Sequence, residues 1–148
     1  MIRRATPADA DAIATVQARA WRHAYAEIVE PDAMPDPVRQ APRWRERLGE
    51  GAIVHVFDQH GRIAGFAALD GSELRALYVD PPAQGAGVGS VLIQAVADTL
   101  RASGHAEAFL WTFEANGLAR AFYERNGWEL VPGRQERLAP EVRYRLAL

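Results

Sequence analysis

The sequence predicts an α+β domain: a mixed, mostly antiparallel central sheet with helices on both faces, in the order β-α-α-β-β-β-α-β-α-β-β. Three observations carry that expectation. Three strand-like segments follow one another between residues 52 and 80, separated only by the turn sequences QHG and DGS, the pattern of an antiparallel meander. Apolar residues recur at helical spacing before and after that meander. A strand–glycine loop–helix unit, with QGAGVGSVLIQAV from Gln84 to Val96 as its loop and helix, sits in mid-chain.

The elements follow in order. MIRRAT opens with a short strand. Thr6-Pro7-Ala8-Asp9 reads as a helix start, with a capping Thr, Pro at the first helical position and an acid three residues after the cap. Ile13, Val16, Ala20 and Ala24 make one apolar stripe on that helix, and Trp21 and Tyr25 lie four apart on the next. EPDAMPDP ends it, and a second helix is predicted from about Val38 to Leu48. After the strands AIVHVFD, GRIAGFAALD and ELRALYVD, Pro81-Pro82 stops the meander. A long helix from about Gly87 to Ala102 ends at Ser103-Gly104, AEAFLWTF is the next strand, and NGLARAFYERN is a short helix closed by Gly127. WELV and VRYRLAL complete the sheet; in the latter Val142, Tyr144 and Leu146 alternate with Arg143 and Arg145. Trp111 and Trp128 are expected in the sheet core.

Composition removes whole classes of function. The 148 residues, 49% of them hydrophobic, suit one domain spanning residues 1–148 with a sizeable core. The absence of cysteine rules out disulfides, thiolate zinc sites and a Cys nucleophile. His55 and His60 flank a turn with no acidic cluster to complete a metal site, so no metal is expected. A net charge of -2 without a long basic run points away from nucleic acid. No apolar run approaches the ~20 residues of a membrane span, and MIRRATPADADAIATV lacks the continuous apolar core of a signal peptide. No membrane partner is expected, and the cytoplasm is the default location. All 17 basic residues are arginine, so there is no Walker lysine and no Schiff-base lysine.

Chemistry enters at the glycine loop. Helix N-termini expose unpaired N–H groups and a partial positive charge. Glycines remove the side chains that would hold an anion at a distance. A strand, a glycine loop and a helix together therefore make a phosphate-binding device, where a plain connector would need no such run of glycines. Gly85, Gly87 and Gly89 do not fit the dinucleotide fingerprint, because Ser90 stands where its third glycine belongs. Ser90 is not in a nucleophile elbow either.

Gln84-Gly85-Ala86-Gly87-Val88-Gly89 resembles the Q/R-x-x-G-x-G/A signature of the GCN5-related N-acetyltransferases (GNAT). ELRALYVDPPAQGAGVGSVLI is similar to that family's strand–loop–helix segment, and LWTFEANGLARAFYERNGW to its second signature, with Asn116, Ala119, Phe122, Tyr123 and Gly127 at matching intervals. The element order agrees from end to end; the N-terminal third matches only in helix placement. The resemblance implies a GNAT-like fold and direct transfer of an acetyl group from acetyl-CoA to a primary amine. It implies that the pyrophosphate sits on the backbone of Gln84, Gly85, Ala86, Gly87, Val88, Gly89 and Ser90. The pantetheine arm would lie along Leu77, Tyr78 and Val79 as a pseudo-strand. The broken alternation of Leu74, Ala76, Leu77, Tyr78 and Val79 suggests a bulge that frees N–H groups there, one of which, at Leu77, could hold the thioester oxygen.

Direct transfer needs a deprotonated amine, and a lysine-like amine has a pKa near ~10.4. Glu73, at the head of the ELRALYV strand, is the candidate base, acting directly or through water; its structural reading is a solvated strand-end glutamate. Tyr123 stands in the family's tyrosine position as the acid for the departing thiolate, against a packing role under its helix. Asn116 stands in the asparagine position, as a pantetheine or water ligand, and equally as the cap of the GLARAFYER helix. Trp21 and Tyr25 are expected to line an acceptor pocket. Glu27, with Glu30, Asp32 and Asp36 in a stretch free of Lys and Arg, is expected to form an acidic lip over it; the alternative is a solvated loop. His23 lies beside the same helix, as a pocket residue or a surface histidine. The partners expected are a small-molecule amine and, in a homodimer, a second copy of the chain. Two further readings remain at this point: a protein N-terminal or side-chain acetyltransferase, and a non-catalytic acyl-CoA-binding sensor.

Overall fold

The computed structural model describes residues 1–148. The strands are β1 (Ile2–Arg4), β2 (Ile53–Gln59), β3 (Arg62–Asp70), β4 (Glu73–Val79), β5 (Glu107–Phe113), β6 (Glu129–Glu136) and β7 (Pro140–Ala147). The helices are α1 (Ala10–Tyr25), α2 (Pro37–Gly49), α3 (Val88–Ala102) and α4 (Gly117–Arg125). The strands form one seven-stranded sheet in the order β1-β2-β3-β4-β5-β7-β6. Every neighbouring pair is antiparallel except β4 and β5, which are parallel. This is the predicted α+β order, and no helix is long and apolar enough to cross a membrane.

Both faces of the sheet carry helices. Ile13 and Val16 of α1 and Trp44 and Leu48 of α2 pack on Val54, Val56 and Phe66. On the other face Leu92, Val96 and Leu100 of α3 and Tyr123 of α4 meet Leu74, Leu110, Val142, Tyr144 and Trp128. Burying side chains of this size contributes about 1.5–3 kcal/mol each. Gly65 lets β3 and α3 close up: a Cβ there would lie 3.0 Å from the Tyr78 carbonyl oxygen and 3.0 Å from Val88. At the entry to α1 the Asp9 carboxylate accepts from the Thr6 N–H at 2.8 Å and from Arg3 at 2.9 Å, which holds its pKa low. Thr6 and Asp9 form a capping box at this start, and a 3-10 turn over Pro7–Asp9 precedes the helix.

Three details depart from the sequence reading. β6 continues past Val131 to Glu136, with Pro132 and Gly133 absorbed as a slip between the pairs Val131–Arg143 and Arg134–Val142. β7 begins at Pro140 rather than Val142; a proline is tolerated as the first residue of a strand. Trp128 is core, 2% exposed. Trp111 is not: past the contact between Tyr25 and Phe113, the α1 side of β5 and β7 is covered by side chains. There the Arg143 guanidinium lies 4.1 Å from the Phe109 ring centroid and 5.7 Å from that of Trp111.

Candidate active site

The site exists because β4 and β5 part company. They pair only at Glu73–Phe109 and Leu74–Leu110. Beyond these residues the two strands run on unpaired, and a cavity of ≈ 740 Å³ opens between them. That volume lies within the range of small-molecule sites.

The bulge anticipated in β4 is at Arg75. Ala68 pairs with Ala76 and Leu69 with Leu74, which leaves Arg75 with no partner on β3. One extra residue inverts the side-chain parity of everything after it. Leu74 faces α3, and after the bulge it is Leu77 and Val79 that face α3 while Ala76 and Tyr78 face α1. The backbone is sorted too. The Asp80 N–H donates to Ala64 of β3 at 2.8 Å, and the Gln84 side-chain amide donates to the Val79 carbonyl at 3.2 Å on the opposite side. Residues two apart share a side of a strand, so the Leu77 and Val79 N–H groups turn to the gap, where β5 no longer pairs with them.

At the α3 end, Gly85 and Gly87 hold φ +81 and +85, a left-handed conformation that side chains other than glycine's adopt only under strain, and a Cβ on either would point into open space. Gly87 is the N-cap of α3. Gly89 serves a different purpose: a Cβ there would sit 3.3 Å from the Phe122 ring of α4. Gln84, Gly85, Gly87, Val88, Gly89 and Ser90 line the cavity, and Ala86 does not. The buried Asp80 fixes the turn that leads into this loop, 3.0 Å from Arg19 of α1 and 3.4 Å from Arg62 of β3.

Tyr123 reaches the cavity from α4 and is packed by Phe122, Trp128 and Tyr144. Burial, with Tyr25 nearby, pushes its phenol well above the ordinary range, so it stays protonated. Asn116 lines the cavity and also caps α4, its side-chain oxygen accepting from the Ala119 N–H at 3.2 Å. Glu73 lines the cavity at the head of β4, half-buried and 3.5 Å from Arg75.

The α1 end is aromatic. Trp21 and Tyr25 meet edge to face at 4.8 Å, and Tyr25 meets Phe113 in the same way at 4.9 Å. The Tyr78 ring joins them at 6.5 Å from Tyr25, so its side chain belongs to this end and only its backbone faces the α3 end. Burial pushes the Tyr25 and Tyr78 phenols up. Glu27 is exposed and does not line the cavity. The carboxylate that does line this end is Glu141 of β7, beside Phe113 in the strand pairing. The sequence reading passed over it together with Arg125 and Arg137, which also line the cavity. His23 is exposed at the cavity wall.

Residues 15–128 match the Acetyltransferase (GNAT) family. The chain belongs to that family. It is an acyltransferase of the GNAT type, and the sequence signatures at Gln84–Gly89 and Asn116–Gly127 fall within the match. The uncharacterized N-acetyltransferase YuaI of Bacillus subtilis (strain 168) is 30% identical over 127 residues, 78% of this chain and 72% of YuaI. The PaiA N-acetyltransferase of Thermoplasma acidophilum, solved in complex with coenzyme A, superposes with a TM-score of 0.82 at 16% identity, over 100% of this chain and 98% of that one. The YncA structure of Salmonella typhimurium, described as an acetyltransferase with its cofactor acetyl-CoA, gives 0.77 at 20% identity over 99% and 92%. At these identities the two structures establish a shared fold. The GNAT fold thus brings both signatures of this chain to one cavity, the first at the start of α3 and the second at the start of α4.

Proposed function

We propose that residues 1–148 form one acetyltransferase unit that moves the acetyl group of acetyl-CoA directly to a primary amine of a small molecule. The observation that carries this reading is the parting of β4 and β5, which joins an anion-suited glycine loop to an aromatic chamber through one opening in the sheet. The donor fits on three counts. Gly85 and Gly87 hold no side chain where the anion would approach. The N-terminus of α3 favours negative charge. The free N–H groups of Leu77 and Val79 suit an extended amide arm added beside β4.

Acetyl-CoA supplies an activated acyl group; the chain supplies alignment and proton management. Leu77 N–H is the donor proposed for the thioester oxygen, in a site where fixed donors are worth more than in water. Tyr123, kept protonated by burial, donates a hydrogen bond to the sulfur as charge develops there. A thiol of pKa ≈ 8.5 is a stronger acid than this phenol, so the hydrogen bond rather than complete proton transfer is the contribution proposed. Glu73 accepts a proton from the incoming amine, directly or through water. Asn116 combines its cap, made through the side-chain oxygen, with a place on the cavity wall beside Tyr25.

The test is CoA release measured with acetyl-CoA and a panel of small primary amines, amino acids and a peptide with a free N-terminus. Amine-dependent CoA release with a small acceptor supports the reading. Binding of acetyl-CoA without turnover of any acceptor would favour a sensor, and turnover of the peptide alone would favour a protein acetyltransferase.

A further inference from the structure

The α1 end of the cavity carries more chemistry than its aromatic walls. Glu141 lies directly across from Phe113 on β7, and strand alternation puts both on the same face of the sheet. Its side chain is 13% exposed. Gln135 donates to Oε1, and the Arg137 Nε lies 4.0 Å from the same oxygen. Oε2 has no hydrogen-bond partner in the protein. Tyr25 lies between this carboxylate and the reacting centre: burial raises its phenol, Tyr78, Asn116 and Glu141 are the neighbours that bear on it, and it in turn is the neighbour that bears on Tyr123. The cavity's other carboxylate, Glu73, is already engaged by Arg75. At the mouth, Leu118 and Leu138 expose 88% and 50% of their surface, apolar patches set among Arg125, Arg137 and the exposed His23.

We propose that Glu141 is the specificity-determining residue of the acceptor site, and that it selects a cationic primary amine carried on an apolar body, of the alkyl- or arylalkylamine class. The ammonium enters as a hydrogen-bond donor to the free Oε2, beside the faces of Trp21 and Phe113, which attract a cation as well as apolar surface. The apolar body then lies against Leu138 and Leu118. A free carboxylate on the acceptor would face Glu141 and lose that advantage. This rests on the acetyltransferase reading above.

Three measurements separate the inference from that reading. Acetyl-CoA affinity by calorimetry reports on the donor half and on folding. KM and kcat are then compared for an arylalkylamine and for an aromatic amine that is uncharged at neutral pH. A hydrogen bond to a charged group is worth enough that Glu141→Gln should raise KM for the arylalkylamine by about 10- to 100-fold. Its kcat should change less than KM, acetyl-CoA affinity should not change, and KM for the uncharged amine should not change. Added salt should raise KM for the cationic amine in the parent and much less in the variant. The inference is overturned if Glu141→Gln leaves KM for the cationic amine where it was, if both amines lose equally, or if the parent prefers amino acids. In each of those outcomes amine-dependent CoA release by the parent still upholds the acetyltransferase reading.

Discussion

The two ends of the cavity are built from different materials. The α3 end is backbone: two left-handed glycines, a helix N-terminus and the unpaired edge of β4 after its bulge at Arg75. Its loop lining, Gln84, Gly85 and Gly87 to Ser90, falls within one seven-residue stretch of chain. The α1 end is side chain: Trp21 and Tyr25 from α1, Tyr78 from β4, Phe113 from β5 and Glu141 from β7. A site made of backbone must be encoded contiguously, because turn geometry is local. A site made of side chains is assembled from residues up to 120 positions apart, and nothing in their spacing announces it. The first kind tolerates little change within one loop, while the second allows substitution residue by residue. We expect the donor to be bound by features common to the family and the acceptor by features peculiar to this chain.

Tyr123, between the two ends, should show the largest effect of any single substitution. Tyr123→Phe removes one oxygen and leaves the packing against Trp128 and Tyr144 intact. Loss of a hydrogen-bond donor aimed at the developing thiolate should lower kcat by about 10²- to 10³-fold, with acetyl-CoA affinity and the amine KM nearly unchanged. The pH dependence has a definite sign. The phenol acts in its protonated form, and its raised pKa keeps that form populated above the ordinary tyrosine value of ~10. Any alkaline loss of kcat below that pH therefore comes from another group and should persist in Tyr123→Phe. An unchanged kcat would assign Tyr123 to packing alone.

Gly87→Val should come next and should affect only the α3 end. Its Cβ would enter open space, but φ +85 imposes about 1–2 kcal/mol of strain and pulls the loop toward another conformation. Acetyl-CoA affinity should weaken by about tenfold, read by calorimetry, while KM for the amine at saturating acetyl-CoA stays within a factor of about two, close to the uncertainty usual for distant sites. Gly89→Val is a different experiment. Its side chain would press on the Phe122 ring 3.3 Å from its Cβ and should lower the melting temperature before it says anything about anions. Equal losses at both ends from Gly87→Val would show the two ends to be coupled.

The same division explains what could be read from the chain. The succession of strands and helices along the chain and the bulge in β4 were legible because each rests on local patterns: alternation, turn residues, or a break in alternation. The glycine loop was legible for the same reason. Glu141 was not, because VRYRLAL was read as a strand beginning at Val142, and the proline at 140 hid the true start of the strand, with Glu141 just after it. Register fixed what composition could not: pairing with Phe113 turns an unremarkable glutamate toward the cavity. Trp111 misled in the opposite way, because an aromatic in a central strand is ordinarily core, and only the limited reach of α1 leaves it under an arginine.

The smallest effect is expected where the sequence drew most attention to charge. Glu27, Glu30 and Asp32 are exposed, none lines the cavity, and the turn they occupy leaves α1 beyond Tyr25. Their field at the acceptor is that of surface charges in water, screened within about 8–10 Å at ordinary ionic strength. Glu141 acts instead at contact distance, with its carboxylate largely withdrawn from solvent. Replacing Glu27, Glu30 and Asp32 together by their amides should therefore leave kcat/KM for a cationic amine within about twofold of the parent at 0.15 M salt. At low salt, where screening relaxes, a modest fall is expected; its size measures long-range attraction alone, since no contact has been removed. The curve of kcat/KM against ionic strength should then lie close to the parent's and far from that of Glu141→Gln. If the triple amide flattens the salt dependence as much as Glu141→Gln does, selection occurs by steering at the surface, and the α1 end of the cavity discriminates by shape alone.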